Sequence, residues 1–406
     1  MLTRSKPRIA SLWVLLAIGA ISLPLLASIT SAVAATRRAT PPIGKQLAEL
    51  RGYDTVTGDY FGGAVAISGT TAIVGADSHA KDAGRAYVFT KTAKGWKQAA
   101  ELKGSDTVAD DDFGYSVAIS GTTAIVSAYN YASGVGRAYV FTKSGAVWKQ
   151  AAELKGSDAV AGDYFGSSVA VSGTTAIVGA YGHAKDAGRA YVFTKTATGW
   201  KQTAELKGSD TVASDYFGYS VAISGASAVV GAPYHGNDAG RTYVFTKTAL
   251  GWKQVAELKV AYVGHYTYGG FGWSVAISGT TAVVGAPGDA NILGRAFVFS
   301  KTAGVWKQTA KLKVAYAHYA FAGFGWSVAI SGTTAVVGAS GNANFLGRAF
   351  VFSKTSTGWK QAAELLGSDT VVGDGLGWSV AISGMTAIVG AYGHAKDGGR
   401  AYGFEA

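Results

Sequence analysis

Residues 152–202 read AELKGSDAVAGDYFGSSVAVSGTTAIVGAYGHAKDAGRAYVFTKTATGWKQ. The stretch falls into four short apolar or alternating runs separated by turn residues: Ser168–Val171, Thr175–Val178, Arg189–Lys195 and Trp200–Leu206. Valine, isoleucine, tyrosine and phenylalanine dominate these runs, the composition of strands packed on both faces. In Arg189–Thr194 the aromatics fall on one side and the small or β-branched residues on the other, the period of an extended chain. The Ser-Gly-Thr-Thr step at Ser172–Thr175 predicts a tight hairpin in which glycine takes dihedrals that other residues avoid. Thr196–Gly199 predicts a second hairpin of the same chemistry.

The unit recurs along the chain. Phe-Gly pairs stand at Phe61, Phe113, Phe165, Phe217, Phe271 and Phe324, spaced by 52 to 54 residues, and a seventh unit carries Leu376-Gly377 instead. A period near 50 residues, four strands per unit and no sustained helical periodicity predict an all-β fold, a seven-bladed β-propeller of four-stranded antiparallel blades. The last unit stops at GRAYGFEA and lacks its fourth strand. Lys45-Gln46-Leu47-Ala48-Glu49-Leu50 matches the missing piece, so an N-terminal strand is expected to complete the last blade and close the ring.

The Phe-Gly pairs before Ser-Val-Ala-Ile-Ser, with Gly231-Ala232-Pro233 and Gly285-Ala286-Pro287, resemble the FG-GAP repeat family, known from the propeller heads of integrin α-subunits and from bacterial secreted proteins. The resemblance covers essentially all of the chain after the leader and implies a propeller with adhesion or ligand binding at the cell surface. Family members that bind calcium carry an Asp-x-Asp-x-Asp-Gly loop between the first two strands of a blade. Here that place holds Ser-Gly-Thr-Thr, Ser-Gly-Ala-Ser or Ser-Gly-Met-Thr. Such turns offer no carboxylate, and calcium takes six to eight oxygens, so no metal and no cofactor is expected.

Composition narrows the remaining classes. The 406 residues include no cysteine, which excludes a thiol nucleophile, a redox pair and Cys-ligated zinc. Arg4, Lys6 and Arg8 precede an uncharged run from residue 9 to 36 that contains Ala32-Val33-Ala34. The pattern predicts a secretory signal peptide over 1–34, with an uncleaved membrane anchor as the alternative, then a linker over 35–43 and the propeller over 44–406. Removal of the leader with Arg4, Lys6 and Arg8 lowers the net charge from +11 to +8, a surplus that suits acidic surfaces or glycans. Lys and Glu alternate too evenly for a nucleic-acid stripe.

Recurring aspartates at Asp54 and Asp59, Asp106 and Asp111, Asp158 and Asp163, Asp210 and Asp215, and Asp369 and Asp374 read as loop ligands for backbone amides or for the recurring arginines. A catalytic pair repeated around a ring is not expected, because an active site needs one asymmetric constellation. His79, His183 and His394 read as solvated loop residues. Asymmetry is greater in units five and six, whose loops carry Tyr262, His265, Tyr266 and Tyr268, then Tyr316, His318 and Tyr319, with Asn291 and Asn344 in the neighbouring loops. Tryptophan follows Phe-Gly or Leu-Gly at Trp273, Trp326 and Trp378. Trp273 and Trp326, with those tyrosines, histidines and asparagines, are the candidate ligand-binding residues, and packing between blades is the other reading of the tryptophans.

The expected function is a secreted or cell-surface, non-enzymatic binding or adhesion module, monomeric, with an extracellular protein or glycan as partner and no nucleic acid. A membrane is expected as partner only if the N-terminal segment stays uncleaved. A carbohydrate-binding lectin is the alternative, and a polysaccharide lyase-like enzyme the third reading.

Overall fold

The computed structural model describes residues 42–260, 270–289, 293–314 and 323–406. Seven sheets of four antiparallel strands form the blades of a propeller. In the third blade the strands are Ser168–Ser172, Thr175–Ala180, Arg189–Thr196 and Gly199–Leu206. Each runs to or slightly past the bounds expected from the sequence, because ladder hydrogen bonds continue into the turn residues.

The chain closes on itself as expected. Gln46–Leu50 pairs antiparallel with Arg400–Glu405, with Gln46 opposite Phe404 and Leu50 opposite Ala401. The closing strand also reproduces the side-chain contacts of an ordinary outer strand. Gln46 holds Ser368 as Gln150 holds Ser105. Arg400 Nε lies 2.7 Å from Glu49 Oε1, as Arg85 Nε lies 2.6 Å from Glu101 Oε1.

The core lies between blades. Phe165 is fully buried, with Val169, Tyr191 and Phe193 of its own blade and Ile125 and Val140 of the preceding one. Its ring sits 5.5 Å from that of Tyr191 and 6.0 Å, edge-on, from that of Phe193. Leu376 takes the same place in the last blade. The glycine of the Gly-Ala step is required by the next blade: a Cβ on Gly179 would stand 1.9 Å from the carbonyl oxygen of Gly218.

Successive strands alternate direction, so the ring has two unlike faces. The loops between blades and those joining second to third strands lie on one, the loop face. The two hairpins of every blade lie on the other, the hairpin face. There the Ser-Gly step is a latch: Gly121 N donates to Ser68 Oγ at 3.0 Å, Gly173 N to Ser120 Oγ at 3.1 Å, and so on round to Gly69 N and Ser383 Oγ at 2.9 Å. The same bond joins every neighbouring pair of blades, which accounts for the recurrence of serine before that glycine. Among the described residues no helix is long and apolar enough to cross a membrane.

Candidate functional site

Three positions of the unit supply the residues that line the loop-face end of the central channel or pack against that lining. They are the residue before the Phe-Gly pair, the residue after it, and the residue after the Gly-Ala step. Most carry an aromatic, and neighbours touch across blade boundaries. Ring centroids are 4.7 Å apart for Tyr219 and Trp273, 5.0 Å for Trp273 and Trp326, 4.7 Å for Trp326 and Trp378, and 4.4 Å for Trp378 and Tyr392. Their planes are tilted by 42° to 50°, close to the rotation between successive blades of a sevenfold ring. Tyr392 reaches Tyr60 at 5.8 Å. In the other direction Tyr219 meets Tyr181 at 5.7 Å, Tyr181 meets Tyr164 at 5.2 Å, and Tyr164 meets Tyr129 at 5.8 Å. Tyr129 stacks on Tyr115 at 3.9 Å.

The aromatic chain therefore runs from Tyr115 around the mouth to Tyr60, and the first blade leaves a gap in it. Gly63 and Asp77 occupy there the positions that hold tyrosine or tryptophan in several other blades. The cavity enclosed has a volume of about 360 Å³, with Asp77 in its wall. Burial pushes the Asp77 carboxyl up to about 6 despite backbone hydrogen bonds that favour its charge. Asp112, which replaces tyrosine before the second Phe-Gly pair, is pushed up to about 7 by burial and then by the charges of Asp77 and Asp82. Burial also raises the hydroxyls of Tyr115 and Tyr219, so both stay protonated donors across the neutral range. Below the mouth the channel turns polar, lined by Ser116, Ser168, Ser220, Ser274, Ser327 and Ser379.

Backbone strain aims part of this wall. Tyr60, Asp112, Tyr164 and Tyr216 adopt φ of 54° to 57°, left-handed values rare outside glycine. Each is held by its amide, which donates to a carbonyl of the preceding blade: Tyr60 N to Asp397 O at 2.8 Å and Tyr164 N to Gly134 O at 2.8 Å. Such strain persists where the surroundings over-determine it.

Of the candidates read from the sequence, Trp273 and Trp326 stand in the mouth wall, in contact with each other and half-buried, and Trp378 continues the arc. Asn344 does not join them. It sits exposed in a left-handed turn of the sixth blade, at φ 58°. Tyr262, His265, Tyr266, Tyr268, Asn291, Tyr316, His318 and Tyr319 lie outside the described residues. Tyr60, Asp77, Tyr115, Tyr219 and Tyr392 were missed. Their signal was available as three aligned columns flanking the inner-strand motif, in which large aromatics replace one another.

The repeated histidines differ from expectation. His79, His183, His235 and His394 are half-buried, and each Nδ1 hydrogen-bonds a buried aspartate 20 residues earlier at 2.8 to 2.9 Å. That aspartate also accepts a loop amide, as Asp163 does from Val160 N at 2.9 Å. The other member of the pair accepts a tyrosine hydroxyl, as Asp158 does from Tyr191 at 2.8 Å. The expectation that aspartates serve loop amides is thus met. The arginines mostly pair instead with the outer-strand glutamate, and Arg137 reaches both Asp106 and Glu153. Asp158, His183 and Glu205 bring ligand atoms within 4.8 Å of one another, the one such group among the described residues. Arg189 Nε stands 2.6 Å from Glu205 Oε1, so a guanidinium already supplies a positive charge there.

A closed seven-blade ring whose inter-blade face is built on Phe-Gly and Gly-Ala steps is a repeat propeller of the FG-GAP type. The FG-GAP repeat model matches seven times, at residues 45–89, 96–141, 148–193, 200–245, 252–299, 306–352 and 359–404, and the chain belongs to that family. No curated protein matches the chain.

Proposed function

We propose that the protein is an extracellular or cell-surface binding module of the adhesion type, acting without catalysis, which takes one projecting group of its ligand into the aromatic mouth of the channel. The observation that carries this reading is the aromatic chain from Tyr115 to Tyr60, interrupted at Asp77. A volume of about 360 Å³ suits a single side chain or sugar ring rather than a large cofactor. Indole and phenol faces attract a cation within about 6 Å of the ring, and a carboxylate in the same wall adds a charged acceptor. The ligand group that fits best is the cationic tip of a protein side chain. FG-GAP propellers support a binding-type role at the level of the family.

The tilted indole arc favours a second reading, stacking of a sugar ring. Titration of tryptophan fluorescence with an arginine-bearing peptide and with neutral oligosaccharides separates the two. On the first reading the peptide binds, Trp326→Ala weakens it about tenfold, and Asp77→Asn weakens it similarly while removing a rise in affinity between pH 5 and 7.5. Affinity rises with pH because Asp77 gains its charge through about 6. Oligosaccharide binding indifferent to Asp77→Asn selects the lectin reading, and no response of either ligand to Trp326→Ala removes the mouth as the site.

A further inference from the structure

The hairpin face carries a second feature independent of the channel mouth. In the first blade Lys91 stands near the end of the third strand, opposite Trp96, and Lys97 stands one position further along the outer strand, opposite Thr90. Alternation along a strand sends these two side chains to opposite faces of the blade. The pair recurs in each of the first six blades, through to Lys354 and Lys360, and Lys45 supplies the corresponding charge where the closing strand enters the seventh. These lysines are exposed or half-exposed. Opposing charge is missing there: the carboxylates lie in the loop-face loops or at the loop-face ends of the strands, and the exception, Glu405, is buried at 6% exposure. Among the described residues the hairpin face therefore holds a ring of lysines without an exposed carboxylate.

Two further observations indicate what such a face meets. Apolar side chains project among the lysines: Leu250 is fully exposed at a hairpin tip, and Met385 is 53% exposed where five of the other inner hairpins carry threonine. The chain also enters the propeller on this face, at Pro42–Lys45, with the end of the last strand between it and the hairpin of Met385. Only residues 37–41, including Arg37 and Arg38, separate that point from the uncharged run 9–36.

We propose that the hairpin face is a docking surface for an anionic phospholipid membrane, with the lysine ring against the headgroups, Leu250 and Met385 at the interface and the aromatic mouth turned outward. Clustered lysines are drawn to an anionic leaflet over about one screening length, and exposed apolar tips add contact with its interface. A basic perimeter with exposed apolar tips fits a planar lipid surface better than a narrow polyanionic chain, which a single groove would follow.

The full chain tested by flotation with phosphatidylcholine vesicles, and with vesicles containing about 30% phosphatidylglycerol, decides the matter. The expected result is at least about tenfold tighter binding to the anionic vesicles at ~0.1 M salt, lost near 1 M where the screening length falls to about 3 Å. The combined variant Lys247→Gln, Lys253→Gln, Lys301→Gln and Lys307→Gln should lose most of that preference. Lys81→Gln, Lys185→Gln and Lys396→Gln on the loop face should keep it, with unchanged circular dichroism in both sets. Equal binding to both vesicle types, an equal loss in the two variant sets, or tighter capture by an acidic polysaccharide than by the anionic vesicles overturns the proposal. None of these readouts depends on the channel mouth.

Discussion

The two faces of the ring have diverged to different degrees. On the hairpin face the blades are near copies: the same Ser-Gly latch joins every neighbouring pair, and the same lysine pair stands at the rim of six blades. On the loop face the positions that face the channel hold tyrosine, tryptophan, serine, proline, glycine or aspartate, and no two neighbouring blades present the same set. A closed ring needs a repeated joint, so uniformity on one face is what assembly requires. Recognition needs a single asymmetric surface, and a sevenfold scaffold obtains one only by varying positions that the joints do not use. The difference separates residues that hold the ring together from residues free to specify a ligand.

The comparison can be broken most severely at the inter-blade core. Phe165→Ala removes a fully buried ring from between two blades and is expected to cost about 3–5 kcal/mol in denaturant unfolding. A cost under about 1 kcal/mol would mean that the Phe-Gly pair does not carry the inter-blade contact. The latch on the opposite face is a smaller effect. Ser120→Ala leaves the amide of Gly173 without its acceptor and is expected to cost about 1 kcal/mol, alike for the equivalent serines because their surroundings are alike. Unequal costs around the ring would refute the uniformity assigned to that face.

An effect of similar size, confined to high pH, sharpens the loop face. The folded value of Asp112, about 7, lies above its ordinary 3.8, so the native state keeps a proton that the unfolded chain releases. Stability from this group is therefore full at low pH and falls as pH rises through that interval. Asp112→Asn, which tolerates the left-handed φ of 57°, should stabilise the protein at pH 8 by about 1 kcal/mol and leave it unchanged at pH 4. A gain of equal size at both pH values would assign it to packing instead.

Much of the fold was legible because each unit states its strands locally. The runs at Ser168, Thr175, Arg189 and Trp200 alternate correctly, and Gln46–Leu50 bears the pattern absent from the last unit. The site was less legible. Trp273 and Trp326 stand out as departures from the repeat, whereas Tyr115 and Tyr219, in the same column, carry no local signal that sets them apart. His183 read as solvated because nothing local shows that Asp163, 20 residues earlier, folds back to hold it at 2.9 Å.

Chain chemistry alone specified the strand period, the number of units and the means of closure, since these follow from backbone alternation, turn residues and a missing segment. It did not specify which of seven variable residues would meet around the axis. Residues about 50 positions apart become neighbours only when the ring closes, and the curvature of the closed ring determines that Tyr219, the three tryptophans and Tyr392 form one wall while Asp77 faces its gap. The same closure gathers the lysines of separate hairpins onto a single face, although along the chain they alternate with glutamates.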